Sequence, residues 1–152
     1  METMLGRDYQ VLMMEAGYVF MGMRRFQEAK EVFEGLTFFA PDSDVPLVAL
    51  GGVSFCLGKF PEAIAFYQKA LKKDPASLYA RAYMAEAQFF SGKKEAAIEG
   101  LEGVSKKDPK GPVGNFARAL LDAIKQGFSP DVLSGVKEIR EFYEKRRGQN
   151  RG

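Results

Sequence analysis

The sequence contains no histidine and a single cysteine, Cys56. The first absence removes the commonest general base and metal ligand. The second excludes an internal disulfide and any cysteine-based zinc cluster. Together they argue against most hydrolases and zinc enzymes. Apolar runs are short, and none approaches the roughly 18 residues that a membrane span needs, so no membrane insertion is expected. The first ten residues, METMLGRDYQ, lack a basic stretch followed by an apolar one, so no secretory signal is expected. The glycines are scattered at turns, and no phosphate-cradling loop is present. An excess of one charge is also missing. The net charge of +2 over 152 residues does not point to nucleic acid. Its distribution is uneven: residues 1–43 hold four Lys/Arg against seven Asp/Glu, and residues 112–152 hold eight against five. The basic end, Lys145-Arg146-Arg147 to Arg151, reads as a solvated, frayed helix end, with 148–152 as a disordered tail.

What is present is an ordinary folded-domain composition, 46% hydrophobic and 28% charged. The clearest unit is Gly58–Pro75, GKFPEAIAFYQKALKKDP. It opens with a turn glycine, starts a helix at Pro61-Glu62, and stops at Asp74-Pro75. Ala63, Tyr67 and Ala70 share one face at a 3.6-residue period. The unit recurs. Prolines stand at 41, 75 and 109, each 34 residues apart. Twelve residues before each lies an alanine (Ala29, Ala63, Ala97), and eight before lies a large apolar residue (Phe33, Tyr67, Leu101). Five before come Leu36, Ala70 and Val104, and twenty-four before come Gly17, Gly51 and Ala85. A small residue suits a helix crossing, where a larger side chain would push the helices apart. The large residue is expected to fill the space between adjacent repeats.

A 34-residue period of this kind is the signature of the tetratricopeptide repeat, a helix–turn–helix unit. The fold expected is all-α, a right-handed superhelix of three helical hairpins with a C-terminal capping hairpin. The hairpins pair Asp8–Gly22 with Phe26–Phe38, Asp44–Leu57 with Pro61–Lys72, and Ser77–Phe90 with Lys94–Lys106. The repeats run about 10–43, 44–77 and 78–111, and the cap about 112–147, in a single domain of 1–147. Gly58 and Gly92 supply the turns inside the second and third hairpins, where the first has Arg24. Ser77 and Ser129 read as N-caps, with Pro130 at a first helical position. A last helix is expected to about Arg146, with Val132, Val136, Ile139 and Tyr143 on one face and a polar outer surface.

Glu28, Glu62 and Glu95 each precede a second helix, where a negative charge suits the helix N-terminus. Cys56 has no histidine to activate it. No catalytic residue, metal site or cofactor is therefore expected. Stacked repeats form a superhelix whose concave face is lined mainly by first helices. The residues expected there are Met14, Tyr18 and Met21, then Val48, Gly52, Phe55 and Cys56. Tyr79, Ala82, Tyr83, Glu86, Phe89 and Phe90 follow, with Phe116 and Leu120 as an extension. This is an apolar, aromatic groove whose methionines adapt to varied apolar peptides. The competing reading of each aromatic is that it fills the core. Grooves that hold acidic chaperone tails carry Lys, Asn and Arg, and these positions hold none.

Three segments carry a closer resemblance: AKEVFEGL (29–36), VALGGVSFCLGKFPEAI (48–64) and AEAQFFSGKKEAAIEGL (85–101). The chain resembles the tetratricopeptide class of bacterial type III secretion chaperones, the SycD/LcrH-like proteins, over about residues 14–105. The resemblance implies a protein of the bacterial cytosol that keeps a secreted hydrophobic partner soluble before export. That partner would be a translocator or a needle-type subunit, bound through an extended or helical segment. It implicates Tyr18, Phe55, Tyr79, Tyr83 and Phe89 in the groove. It also implies a homodimer, although the longer helical arm that precedes the first repeat in the family is mostly missing. The alternative is a scaffold or adaptor that assembles another multiprotein complex.

Overall fold

The computed structural model describes residues 6–131. Seven helices follow one another and no strand occurs among the described residues. They are α1 (Arg7–Gly22), α2 (Phe26–Phe39), α3 (Val45–Cys56), α4 (Phe60–Lys73), α5 (Leu78–Phe90), α6 (Lys94–Lys107) and α7 (Pro112–Lys125). Each packs on the next, and α3 also meets α5, as α5 meets α7. The odd-numbered helices thus lie side by side as one layer, backed by the even-numbered ones. The bounds agree with the expected hairpins to within a residue or two. A further helix opens at Pro130, as expected. Its continuation to Arg146, with Val132, Val136, Ile139 and Tyr143, lies outside the described residues.

The turns inside the hairpins share one hydrogen-bond pattern. Lys59 N–H donates to Ser54 C=O (2.9 Å) and Gly58 N–H to Phe55 C=O (2.9 Å). Lys93 and Gly92 make the equivalent bonds to Gln88 and Phe89, and Arg25 and Arg24 those to Phe20 and Met21. This is the Schellman closure, which needs one residue in the left-handed region. Gly58 (φ 73°) and Gly92 (φ 89°) supply it freely. Arg24 adopts the same conformation at φ 60°, at a cost of about 1 kcal/mol for a residue with a Cβ. The turn without glycine therefore closes like the other two. Gly127 (φ 93°) ends α7 in the same way, with Phe128 N–H on Ala123 C=O (3.0 Å).

Other ends are fixed by side chains. Ser77 Oγ accepts from Ala80 N–H (3.3 Å), so Ser77 caps α5. Asp108 accepts from Gly111 N–H (2.9 Å) and Gly114 N–H (2.8 Å), which ties the end of α6 to the start of α7. Arg118 reinforces that corner by donating to the carbonyls of Ser105 and Asp108 (3.2 Å each). The suspected carboxylates have structural roles. Glu28, Glu62 and Glu95 occupy first turns, Glu28 pairs with Arg25, and Glu62 accepts from the buried Ser54 hydroxyl (2.9 Å).

The repeated positions explain the packing. Phe33 covers Gly17, and Tyr67 covers Gly51, so closely that a Cβ on either glycine would fall inside the ring. The third repeat solves the same crossing with Ala85 and Leu101, both fully buried. The large residue therefore first fills the gap within its own hairpin and only then extends to the next repeat. Phe33 shares its core cluster with Ala49, Leu50 and Val53 of α3, and Tyr67 shares its own with Ala87 of α5.

Gly51→Ala should destabilise the protein by about 1–3 kcal/mol, because the added methyl collides with Tyr67. Tyr67→Leu should relieve that collision. In a double-mutant cycle by urea denaturation, Gly51→Ala/Tyr67→Leu is expected to be at least about 1 kcal/mol more stable than additivity gives. Strict additivity would show that the two side chains do not set the crossing together.

Candidate functional site

The layer of odd helices carries a stripe of rings. Tyr18 from α1 and Tyr79 from α5 are each half exposed. With Val48, Tyr83, Val45, Asp44 and Ser77 they line a cavity of about 300 Å³. Four expected groove residues thus converge on one cavity, which spans α1, α3 and α5. Tyr18 and Val45 also border a second hollow of about 450 Å³, which continues the groove past Met14 toward Arg7 and Gln10.

Ring contacts hold the stripe in shape. Tyr83 sits between Tyr79 (centroids 6.0 Å apart) and Phe116 (5.6 Å, edge-on), with Tyr67 behind it at 6.2 Å. Tyr18 meets Phe33 edge-on at 5.4 Å. Each such pair contributes about 0.5–1.5 kcal/mol beyond its buried area, so the rings are pre-positioned. Met21 lies over Gly52, its terminal methyl 3.5 Å from where a Cβ would stand, and packs against the core of the first repeat.

Not every expected residue is available to a ligand. Phe89 is only 3% exposed and stacks on Phe128 at 5.9 Å. It belongs to the core, because the chain beyond α7 folds back over it. Ala82 is fully buried. Phe55 and Phe90 are half-buried and meet edge-on at 5.4 Å, and Phe60 completes the cluster. They form a phenylalanine set at the turn end of the layer, apart from the tyrosine cavity. Asp44, Val45 and Ser77 line the cavity although their sequence signal was that of helix starts.

The α5 stripe carries one carboxylate. Tyr79, Tyr83, Glu86 and Phe90 follow one another at intervals of four, three and four along α5, so Glu86 lies between the two aromatic sets. Burial pushes its carboxyl up to about 7. Its negative charge in turn helps to raise Tyr67, Tyr83 and Cys56, each of which is lifted first by burial. Tyr18 is raised by burial and then by Tyr83. The surface-accessible Cys56 is thereby kept as a thiol, although Arg24 opposes the shift.

Among the described residues no group of three or more His, Cys, Asp or Glu could hold a metal ion, and no helix is long and apolar enough to cross a membrane.

Comparison with known proteins places this geometry. Residues 57–121 match the tetratricopeptide-repeat family model. The fold is the tetratricopeptide-repeat fold. No curated protein matches the sequence. Among solved structures, the chain is similar to the type III secretion translocator chaperone SycD of Yersinia enterocolitica. The TM-score is 0.70 at 17% identity, over 78% of this chain and 91% of that one. It is similar to PcrH, a Pseudomonas aeruginosa protein, in complex with the chaperone-binding region of PopD. There the TM-score is 0.69 at 18% identity, over 83% and 98% of the two chains. It is also similar to the TPR2B domain of yeast Sti1 in its Hsp70 complex, with a TM-score of 0.69 at 23% identity over 78% and 98%. At these identities the likeness is one of fold, so function rests on the groove's own chemistry.

Glu86 makes stability depend on pH. Its carboxyl keeps its proton to higher pH folded than unfolded, so stability falls as pH rises from about 4.5 through about 7. Glu86→Gln should flatten that slope. Its advantage over the wild type in thermal unfolding should grow from pH 5 to pH 8 by roughly 1–2 kcal/mol, allowing for partial exposure. Parallel curves for the two proteins would refute the burial of this charge.

Proposed function

We propose that this chain is a non-catalytic chaperone that holds an apolar segment of a secreted partner in the groove across α1, α3 and α5. The observation that carries the reading is the cavity lined by Tyr18, Val48, Tyr79 and Tyr83. Two of these rings are half exposed, and neither Lys nor Arg stands among the lining residues. Such a surface selects apolar side chains and offers tyrosine hydroxyls to the backbone of an extended segment. Acidic tails would find no cation there.

The finer assignment is a type III secretion chaperone of the bacterial cytosol, with a translocator or needle-type subunit as cargo. Its support is the likeness to SycD and to PcrH bound to PopD and PopB segments. The equal likeness to the Sti1 domain supports the alternative, an adaptor within another assembly.

A homodimer through α1 forms part of this reading. Tyr9, Leu12, Ala16, Val19 and Met23 are exposed and recur at intervals of three and four, which aligns them on one side of the helix. Against four apolar side chains more than half exposed, α1 buries only Gly17 in the fold.

Two experiments test these statements. Co-produced with an aggregation-prone secretion cargo, the wild type should form a stoichiometric soluble complex. Tyr18→Ala and Tyr79→Ala should each weaken the complex by at least about tenfold without loss of fold, whereas Gln68→Ala on the opposite side should not. Equal binding by all three variants removes the groove from the reading. For the dimer, Leu12→Glu should convert the species seen by sedimentation velocity to monomer; a wild type already monomeric at about 100 μM, where a Kd that weak would still be visible, refutes the interface.

A further inference from the structure

Glu86 is the charged member of the α5 stripe. Its neighbours on the α5 stripe, Tyr83 and Phe90, are rings. The groups that feel its charge are Tyr83 on α5, Tyr67 from α4 and Cys56 from α3, all neutral at pH 7. Arg24, from the turn after α1, acts on Cys56, and Asp44 at the start of α3 lines the tyrosine cavity. The α7 cation Arg118 is engaged with Ser105, Asp108 and Asn115. From α7 the group facing the stripe is the Phe116 ring, and α6 places no ion pair here. Among the described residues Glu86 has neither an ion pair nor a hydrogen bond.

A half-desolvated carboxylate without a partner costs stability, and a cation supplied from outside would offset that cost. Glu86 lies seven residues along α5 from Tyr79 and three from Tyr83, about 10 and 5 Å at the helical rise. An extended segment covers that span in two or three residues.

We propose that Glu86 is the specificity-determining contact of the groove. The segment bound there carries a Lys or Arg two or three residues from the apolar side chain that fills the Tyr18–Tyr79–Tyr83 cavity. The cationic head meets the Glu86 carboxylate, and its aliphatic stem runs along the rings of the α5 stripe. This inference rests on the groove reading above and adds the charge of its ligand.

The test uses the full chain and nine-residue peptides of Leu, Val and Pro. Each has one fixed apolar anchor and Lys, norleucine or Glu at the position two or three residues away. By fluorescence anisotropy at pH 8 the Lys peptide should bind about tenfold more tightly than the norleucine peptide, and the Glu peptide most weakly. The Lys advantage should shrink at pH 6, where Glu86 holds its proton. In Glu86→Gln the advantage should vanish, and in Glu86→Lys the Glu peptide should lead. The near-isosteric Glu86→Gln keeps the test decisive if Glu86→Lys does not fold. Calorimetry at pH 7 in buffers of different ionisation enthalpy should show about half a proton released with the Lys peptide and none in Glu86→Gln. An unchanged ranking in Glu86→Gln, with Tyr79→Ala still weakening every peptide, overturns this proposal and leaves the groove intact. Peptide binding that is absent, or indifferent to Tyr79→Ala, overturns both.

Discussion

A large side chain lying over a small one, sixteen residues earlier, is the contact on which this architecture depends. Phe33 over Gly17 and Tyr67 over Gly51 leave no space for a single methyl. Leu101 with Ala85 reaches the same crossing with a smaller knob and a shallower hole. The volume at each crossing is conserved while its distribution between the two helices changes, which is the tolerance close-packed cores show. Because the crossing is filled from the second helix, each hairpin closes on one side. The opposite face of the odd helices is then free to carry rings that the core does not need.

Those rings are nevertheless not free to move. Tyr83 is held by Tyr67, Tyr79 and Phe116, and Tyr18 by Phe33, so the residue that closes the first crossing also orients a groove ring. Packing and recognition share side chains. Pre-positioning lowers the entropy that a bound segment would otherwise have to offset. Partial burial lifts the carboxyl of Glu86 and the hydroxyls around it, which gives the α5 stripe a charge that depends on pH near neutrality.

Much of this was legible in the residues. The 34-residue spacing of Pro41, Pro75 and Pro109 placed six helix ends to within one or two positions, and Ser77 declared its cap. The convergence of Tyr18, Val48, Tyr79 and Tyr83 followed from putting the first helices side by side. Phe89 was misplaced for a physical reason. On a 3.6-residue period it shares an arc with Glu86 and Phe90, and it is covered by stacking on Phe128, beyond α7, a ring that also meets Phe90 edge-on. That contact is remote in sequence and leaves no periodic trace. Phe55 and Phe90 were drawn into a separate cluster by Phe60, whose role as the first residue of α4 hid its part in the core. The Arg24 turn was harder to read than its glycine counterparts, since a left-handed arginine has no compositional marker.

The corner at Asp108 is tied by four hydrogen bonds from Gly111, Gly114 and Arg118, whereas α1 is attached through one buried glycine and a few half-buried methionines and rings. In a linear array each unit is supported only by its neighbours. Tyr18 therefore stands on a helix that packs mainly against α2, whereas Tyr79 and Tyr83 stand on α5, which packs against α4, α6 and α7. Because Tyr18 rests on Phe33, a change at that one core residue would reach a single ring of the cavity and leave the other two where they are.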